Sequence, residues 1–194
     1  MISKEALKGL IAAPFTPMDE AGRINPGMVE NYARYLIRSG VTGAFVCGTT
    51  GECMSLTTEE RKLVLESWVR SANGKLKVIA HVGGNCLLQS SELASHAEKS
   101  GAFAIGAFAP SFFKPATAQE LVKFLSPVAA SAPGLPFYYY HMPSMTGVNL
   151  PVVELLTLAQ SEIPNFAGVK YTHFDLYDMQ QCIAYGDGRY EILH

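Results

Sequence analysis

Residues 76–109, LKVIAHVGGNCLLQSSELASHAEKSGAFAIGAFA, contain one complete unit of the pattern that decides the fold. An apolar run over residues 76–82 is followed by a helix-like segment over residues 90–100, which Gly101 ends. A second apolar run follows over residues 102–109. Both runs are almost continuously apolar instead of alternating with polar residues. This is typical of strands that are buried on both faces, as in a parallel sheet.

The same alternation extends along the chain and predicts six β/α repeats followed by a seventh strand. Thr57 with Glu60, and Thr117 with Glu120, have the spacing of capping boxes at the starts of two helices. Pro127 is expected to kink or end the fourth helix, because proline removes a helical hydrogen bond. The predicted strands occupy residues 7–15, 41–47, 76–82, 102–109, 135–140, 166–171 and 190–194.

A regular β/α order predicts a parallel sheet, either closed as a (β/α)8 TIM barrel or open and doubly wound, as in flavodoxin. The even repeat and the lack of a GxGxxG motif after the first strand favour the barrel. A complete barrel takes about 250 residues, whereas this chain has 194 residues. We therefore expect residues 1–194 to form a single, incomplete TIM-barrel domain, truncated within the seventh strand. The open sheet remains the alternative, because it fits the length better.

The composition excludes several classes of protein. With 48% hydrophobic residues and a net charge of −2 the chain is not disordered, and it is not a strongly basic nucleic-acid binder. No apolar run is long enough to span a membrane, and the N-terminus lacks a signal pattern. We expect neither a nucleic-acid nor a membrane partner. The histidines lack zinc-ligand spacing, so nothing in the sequence proposes a metal site. The cysteines are Cys47, Cys53, Cys86 and Cys182.

These cysteines form no CxxC pair, so we expect buried free thiols in a cytoplasmic protein.

In both candidate folds the active site lies at the carboxyl ends of the strands. The second strand leads into residues 48–52, GTTGE. The glycines allow a tight turn with inward-pointing N–H groups, and the two threonines add hydroxyl donors. A small carboxylate fits this loop better than a nucleotide phosphate, because the Walker lysine is missing. An ordinary Gly/Thr turn is the alternative.

The fifth strand contains three consecutive tyrosines, which alternate between the two faces of the sheet. Tyr140, nearest the carboxyl end of the strand, is the candidate general acid/base. Tyr138 and Tyr139 are expected to be packing residues with their hydroxyls at the surface. His81 after the third strand and His141, for which the rim of the predicted pocket is the alternative, are both expected to be structural.

The sixth strand carries Lys170 near its end, which is unusual because lysine is almost never buried unless it is paired. Burial lowers the pKa of an amine and leaves a neutral nucleophile that can form a Schiff base with a ketone. The alternative is a lysine that extends past the strand end into water. The loop at residues 48–52 and Tyr140 at neighbouring strand ends favour the nucleophile.

These residues resemble those of the pyruvate-dependent Schiff-base aldolases related to dihydrodipicolinate synthase. The similarity runs from Gly9 to the last residue and is greatest for the branch of the family that cleaves sialic acid. It implies a (β/α)8 barrel that assembles as a homotetramer in its full-length form. The motifs that carry it are residues 48–52, 136–143, 146–148 and 168–170.

The resemblance also implies a role for each site residue. Lys170 would be the Schiff-base lysine and Tyr140 the proton-transferring tyrosine. Gly48, Thr49 and Thr50 would hold the carboxylate of the keto acid, with the Thr49 hydroxyl in a relay to Tyr140. Thr172 would contact the sugar acid. The implied reaction is reversible cleavage of N-acetylneuraminate, a sialic acid, to N-acetylmannosamine and pyruvate, without a metal or cofactor.

Three features of the sequence differ from relatives within that family. Met145 stands where dihydrodipicolinate synthases have an arginine for a second carboxylate, so that substrate is disfavoured. Phe112 and Phe113 replace a tyrosine that extends the relay in some relatives. The family's sugar-binding Gly-x-Asp-Glu run, which follows the seventh strand, is not in this sequence. The alternatives are therefore a truncated form or fragment without lyase activity, and an aldolase for another 2-keto sugar acid.

Overall fold

A computed structural model of the chain describes residues 6–194. Its centre is a seven-stranded sheet, in which every strand pairs in parallel with the next strand along the chain. The strands are β1 (Ile11–Ala12), β2 (Gly43–Val46), β3 (Lys77–His81), β4 (Ala104–Phe108), β5 (Phe137–His141), β6 (Phe166–Tyr171) and β7 (Glu191–Leu193). The α-helices are α1 (Val29–Arg38), α2 (Thr58–Ala72), α3 (Leu87–Ser100), α4 (Ala118–Ala130), α5 (Pro143–Thr146), α6 (Val152–Glu162) and α7 (Leu176–Ala184).

The sequential order of the strands decides between the two predicted architectures. Crossover connections between parallel strands are right-handed, so a sheet in sequential order carries its helices on one face. A doubly wound sheet needs a reversal of strand order to cover both faces, and the order β1 to β7 has none. The open flavodoxin-like alternative is therefore wrong. The β/α repeats and the seventh strand are confirmed as an incomplete (β/α)8 barrel.

Local capping explains where two of the helices begin. At α2 the Thr57 hydroxyl accepts from the Glu60 N–H at 3.2 Å, and the Glu60 carboxylate accepts from the Thr57 N–H at 2.8 Å. This is the predicted capping box. At α4 the Thr117 hydroxyl accepts from the Glu120 N–H, but the Glu120 carboxylate accepts from the N–H of Ala116 instead. Only half of the second box is therefore formed.

Three helix predictions need correction. The third helix begins at Leu87 instead of Ser90. Helix α4 does not end at Pro127 but continues to Ala130. Since Pro127 lies close to the end of the helix it removes only one late hydrogen bond, and Val128 beyond it is buried in the core. The short helix α5 lies after β5, where the sequence indicated no helix.

The sheet separates two apolar layers. The larger layer packs between the sheet and the helices, and the smaller one lies on the opposite, inner face. The inner layer includes Phe45, Ile79, Phe108, Tyr138 and Tyr140. The predicted alternation of β5 is therefore confirmed, because Tyr138 and Tyr140 share the inner face.

The remaining side chains of β5 correct the sequence-based expectations. Tyr139 and His141 point to the helical layer, where the Tyr139 hydroxyl lies 3.4 Å from Nδ1 of His141. His141 is buried and does not lie at a pocket rim. The Tyr138 hydroxyl donates to a Glu191 carboxylate oxygen at 2.7 Å. Neither tyrosine presents its hydroxyl at the surface, because the helices cover one face of the strand and inner side chains cover the other.

All four cysteines are free thiols. Cys47, Cys53 and Cys182 are buried as expected, but Cys86 is exposed, because it occupies the N-cap position of α3 outside the packed layers. Between residues 6 and 194 no helix combines the length and the apolarity that crossing a membrane requires.

Candidate active site

The carboxyl ends of β5 and β6 place Lys170 against Tyr140. The two residues are directly paired across the strands, and both side chains point to the inner face. The Lys170 Nζ atom lies 3.8 Å from the centroid of the Tyr140 ring and 5.3 Å from that of Phe45. Lys170 therefore lies over aromatic rings instead of extending into water.

This setting changes the acid–base behaviour of Lys170. Burial lowers the pKa of the Lys170 amine from 10.5 to about 8, because desolvation disfavours the charged form. No carboxylate forms an ion pair with Lys170 in the part of the chain that the structure describes. A free amine is therefore far more populated here than on a surface lysine, which is the requirement for attack on a ketone.

Tyr140 is connected to the loop after β2 through its hydroxyl. The Tyr140 hydroxyl lies 3.3 Å from Oγ1 of Thr49, and Thr49 also donates to the sulfur of Met142 at 3.3 Å. Burial raises the pKa of Tyr140, and the hydrogen bond with Thr49 opposes that shift. Tyr140 therefore holds its proton at neutral pH and can deliver it to a reacting group.

The loop itself is a tight turn with free donors. It starts at Cys47, which has a left-handed φ of 53°, and ends at Glu52, with a φ of 58°. Gly48 is required in between, because a Cβ atom there would lie 2.9 Å from the Phe45 ring. Within residues 6–194 the backbone N–H groups of Thr49 and Thr50 donate to no other group. The loop can therefore offer them to an anion.

The other predicted site residues lie outside this contact network. Thr172 donates its hydroxyl to the carbonyl of His141 at 2.9 Å, and it contacts neither Lys170 nor Tyr140. Met145 is 65% exposed and helps to line a cavity of about 250 Å³ beside Thr49. Phe112 and Phe113 are exposed and pack on each other, with ring centroids 5.0 Å apart.

His81, expected to be structural, lies inside the site. Its ring is 5.8 Å from that of Tyr140 and almost perpendicular to it, and 4.5 Å from that of Phe108. Its Nδ1–H donates to the carbonyl of Cys47 at 2.9 Å. Burial, and then the charge of Arg61, lower the pKa of His81 well below its usual value, so the ring is neutral. From the end of β3, His81 thus contacts both Cys47 at the start of the loop and the ring of Tyr140.

Arg61 is a further residue of the site, and no role for it was predicted from the sequence. This residue of α2 is buried and donates to the carbonyl of His81 at 2.9 Å. A signal was present, because Arg61 has helical spacing with Val64, Leu65 and Trp68 and so lies on the apolar face of α2. In the described chain, no three His, Cys, Asp or Glu side chains group as ligands for a metal ion.

The fold and the site define the chain as an α/β protein of the (β/α)8-barrel class, with a half-buried lysine at the carboxyl ends of its strands. The sequence profile of the dihydrodipicolinate synthetase family matches residues 6–194, and the chain belongs to this family.

Within the family, the chain is similar to N-acetylneuraminate lyases. It is 50% identical to that of Gallus gallus over 185 residues, covering 94% of this chain and 60% of the relative. It is 48% identical to that of Homo sapiens, covering 93% of this chain and 57% of the relative. The chain thus spans about 60% of the length of these curated relatives.

Solved structures of proteins from both branches of the family superpose on this chain. The N-acetylneuraminate lyase of Proteus mirabilis superposes with a TM-score of 0.94 at 41% identity, over 97% of this chain and 63% of that one. The dihydrodipicolinate synthase of Aquifex aeolicus superposes with a TM-score of 0.90 at 29% identity, over 96% and 62%. Both branches of the family thus share the fold.

Proposed function

We propose that the protein is a class I aldolase that cleaves N-acetylneuraminate reversibly to N-acetylmannosamine and pyruvate. The observation that carries the proposal is the Lys170 amine, which lies 3.8 Å from the centroid of the Tyr140 ring and has a pKa lowered to about 8. The similarity to N-acetylneuraminate lyases supports the choice of substrate. The proposed steps use no metal and no organic cofactor.

The proposed reaction begins when the neutral Lys170 amine attacks the C2 ketone of the open-chain sugar acid. Loss of water, with uptake of one proton from the solvent, gives a protonated imine. Cleavage of the C3–C4 bond moves its electron pair into the C2=C3 double bond of an enamine, and the imine nitrogen takes up the electron pair of its own double bond. The C4 hydroxyl gives its proton to Tyr140, which passes its own proton through Thr49 to the solvent. Protonation of the enamine at C3 and hydrolysis of the imine release pyruvate and the free amine.

The loop and Thr172 have binding roles in this proposal. The free N–H groups of Thr49 and Thr50 hold the carboxylate, and Gly48 lets the chain turn closely enough to present them. The carboxylate position then aims the C2 ketone at Lys170. The Thr172 hydroxyl already donates its proton to the carbonyl of His141. Its oxygen therefore accepts a hydrogen bond from a sugar hydroxyl.

We further propose that residues 1–194 belong to one barrel domain of a cytoplasmic homotetramer. The free thiols are consistent with a reducing compartment. Exposed apolar side chains on and beside α7 provide a surface for contact between subunits. They include Phe174, Leu176 and Tyr177, which are 93%, 62% and 73% exposed.

Trapping the imine tests the proposed chemistry. The protein is incubated with pyruvate and borohydride, and the reduced adduct is mapped by peptide mass spectrometry. We expect one adduct, on Lys170, and none in Lys170→Met. Lys77→Met is the matched control, because Lys77 is also a strand lysine beside an aromatic ring, 5.0 Å from the centroid of Phe103. Absence of an adduct on Lys170 would contradict the proposal.

A form without lyase activity is the second candidate. The chain spans 60% of the Gallus gallus relative, and β1 and β7 each pair with a single strand within the described residues. An adduct on Lys170 without release of N-acetylmannosamine would support this candidate. Parallel assays with other 2-keto sugar acids test the third candidate, an aldolase of different substrate preference.

A further inference from the structure

Arg61 is a buried cation without a carboxylate partner. It is 7% exposed, its Nη2 donates to the carbonyl of His81 at 2.9 Å, and its buried Nε has no hydrogen-bond partner. No Asp or Glu forms an ion pair with it within the described residues. Because a buried charge is costly unless it is paired, an unpaired guanidinium needs a physical reason.

The guanidinium lies close to both ends of the GTTGE loop. Its charge acts on both Cys47 and Cys53, the residues that flank the loop. The Cys47 thiol donates to the backbone carbonyl of Arg61 at 3.8 Å. The carbonyl of Cys47, where the backbone enters its left-handed conformation, accepts from the imidazole of His81. Arg61 and His81 therefore stabilise the backbone at Cys47, where the loop begins.

We propose that Arg61 is a positioning residue that supplies the positive charge beneath this loop, and that its counter-charge is the carboxylate of the bound keto acid. This inference rests on the proposed function in one respect, namely that the loop binds a carboxylate. Arg61 acts through the field of its charge and through His81 and Cys47, while the N–H groups of Thr49 and Thr50 make the direct contacts.

The electrostatics support this arrangement. The loop donors are neutral amides, and a full positive charge held behind them in a medium of low dielectric strengthens their attraction for an anion. During its attack on the ketone, Lys170 is a neutral amine and supplies no such charge to the loop. A purely structural role for Arg61, as a donor to the carbonyl of His81, would need only a neutral amide.

Two substitutions separate the charge from the hydrogen bond. Arg61→Gln keeps an amide donor for His81 but removes the charge, and Arg61→Lys keeps the charge. The matched control is Arg70→Gln, an exposed arginine near the other end of α2. Each purified protein is titrated by calorimetry with pyruvate and with methyl pyruvate, a neutral ester of the same size class that keeps the ketone.

We expect Arg61→Gln to weaken pyruvate binding about tenfold, the effect of about 1.4 kcal/mol, while methyl pyruvate binding stays within about twofold. Arg61→Lys should retain most of the preference for pyruvate, and Arg70→Gln should match the wild type. The ratio of the two affinities is the decisive quantity, because a general loss of packing would weaken both ligands alike.

An equal loss for both ligands in Arg61→Gln, or no loss for either, would overturn the inference. If Arg61→Gln does not fold, Arg61→Lys decides: a folded lysine variant without a preference for pyruvate also overturns it. Failure of the proposed function is a different result. Wild-type protein that binds pyruvate in the calorimeter but gives no borohydride adduct contradicts the Schiff base while the role of Arg61 is still measured. Wild-type protein that does not bind pyruvate contradicts both.

Discussion

Raising the pH should convert the Lys170 amine to its reactive neutral form along a titration curve centred near pH 8. Burial lowers the pKa of this amine from 10.5 to about 8. With that pKa, about 1% of the amine is neutral at about pH 6 and about 90% at about pH 9, a rise of roughly 90-fold. An ordinary lysine would stay mostly protonated over this range, and its neutral fraction would still rise about tenfold per pH unit at about pH 9.

The assay measures the initial rate of adduct formation with saturating pyruvate and cyanoborohydride, which survives at mildly acidic pH. Intact-mass spectrometry counts the adduct at each pH, and Lys170→Met gives the background from other lysines. An aromatic amine that stays neutral over the whole pH range, treated with the same pyruvate and reductant, corrects for the pH dependence of the reductant. We expect the corrected rate to reach a plateau above about pH 9, where the amine is mostly neutral. A corrected rate that still rises about tenfold per unit at about pH 9 would refute the reasoning, because the amine would then titrate as a solvated lysine.

Three substitutions test the contacts around the site. Tyr140→Phe keeps the ring beneath the amine but removes the relay hydroxyl, so we expect adduct formation to persist while release of pyruvate from N-acetylneuraminate falls by at least about 100-fold. Tyr138→Phe removes one of the donors to the half-buried Glu191 carboxylate, which keeps the Leu7 N–H, and the free energy of unfolding in urea should fall by about 1 kcal/mol. Gly168→Ala would push a Cβ atom into the carbonyl of Glu191, so β6 and β7 must separate and the unfolding free energy should fall by about 3 kcal/mol.

Matched controls keep these measurements specific. Tyr35→Phe removes the hydroxyl of an exposed tyrosine and should change neither activity nor stability. Gly27→Ala adds a Cβ atom whose nearest neighbour, in Asn25, is 3.4 Å away, and it should be tolerated. Loss of adduct formation in Tyr140→Phe, or wild-type stability in Tyr138→Phe or Gly168→Ala, would contradict the contact in question.

The sequence was sufficient for the order of elements because that order depends on local patterns. Continuous apolar runs predicted parallel strands, and the Thr57–Glu60 spacing predicted the start of α2. Helix boundaries were less predictable where packing overrides local preference. Pro127 does not end α4, because the residues beyond it are buried, and Leu87 starts α3 before the expected Ser90.

The site was partly predictable for the same reason. A lysine near the end of an apolar strand, a tyrosine on the neighbouring strand and a Gly/Thr turn are each visible along the chain. Their mutual approach depends on register, because Tyr140 pairs directly with Lys170 across two strands. Arg61 was missed, and His81 was expected to be structural only, because their importance comes from contacts between β3, α2 and the loop, which lie far apart in sequence.

The sequence by itself therefore determined the parallel β/α class, the alternation of Tyr138, Tyr139 and Tyr140, and the identity of the candidate nucleophile. Each of these follows from the two-residue period of a strand or from the rarity of a lysine in an apolar run. Only the tertiary structure decided that the strands run in sequential order, and that burial over the Tyr140 ring lowers the pKa of Lys170. The physical reason is that strand order, desolvation and the field of a buried charge all depend on which distant segments are brought together.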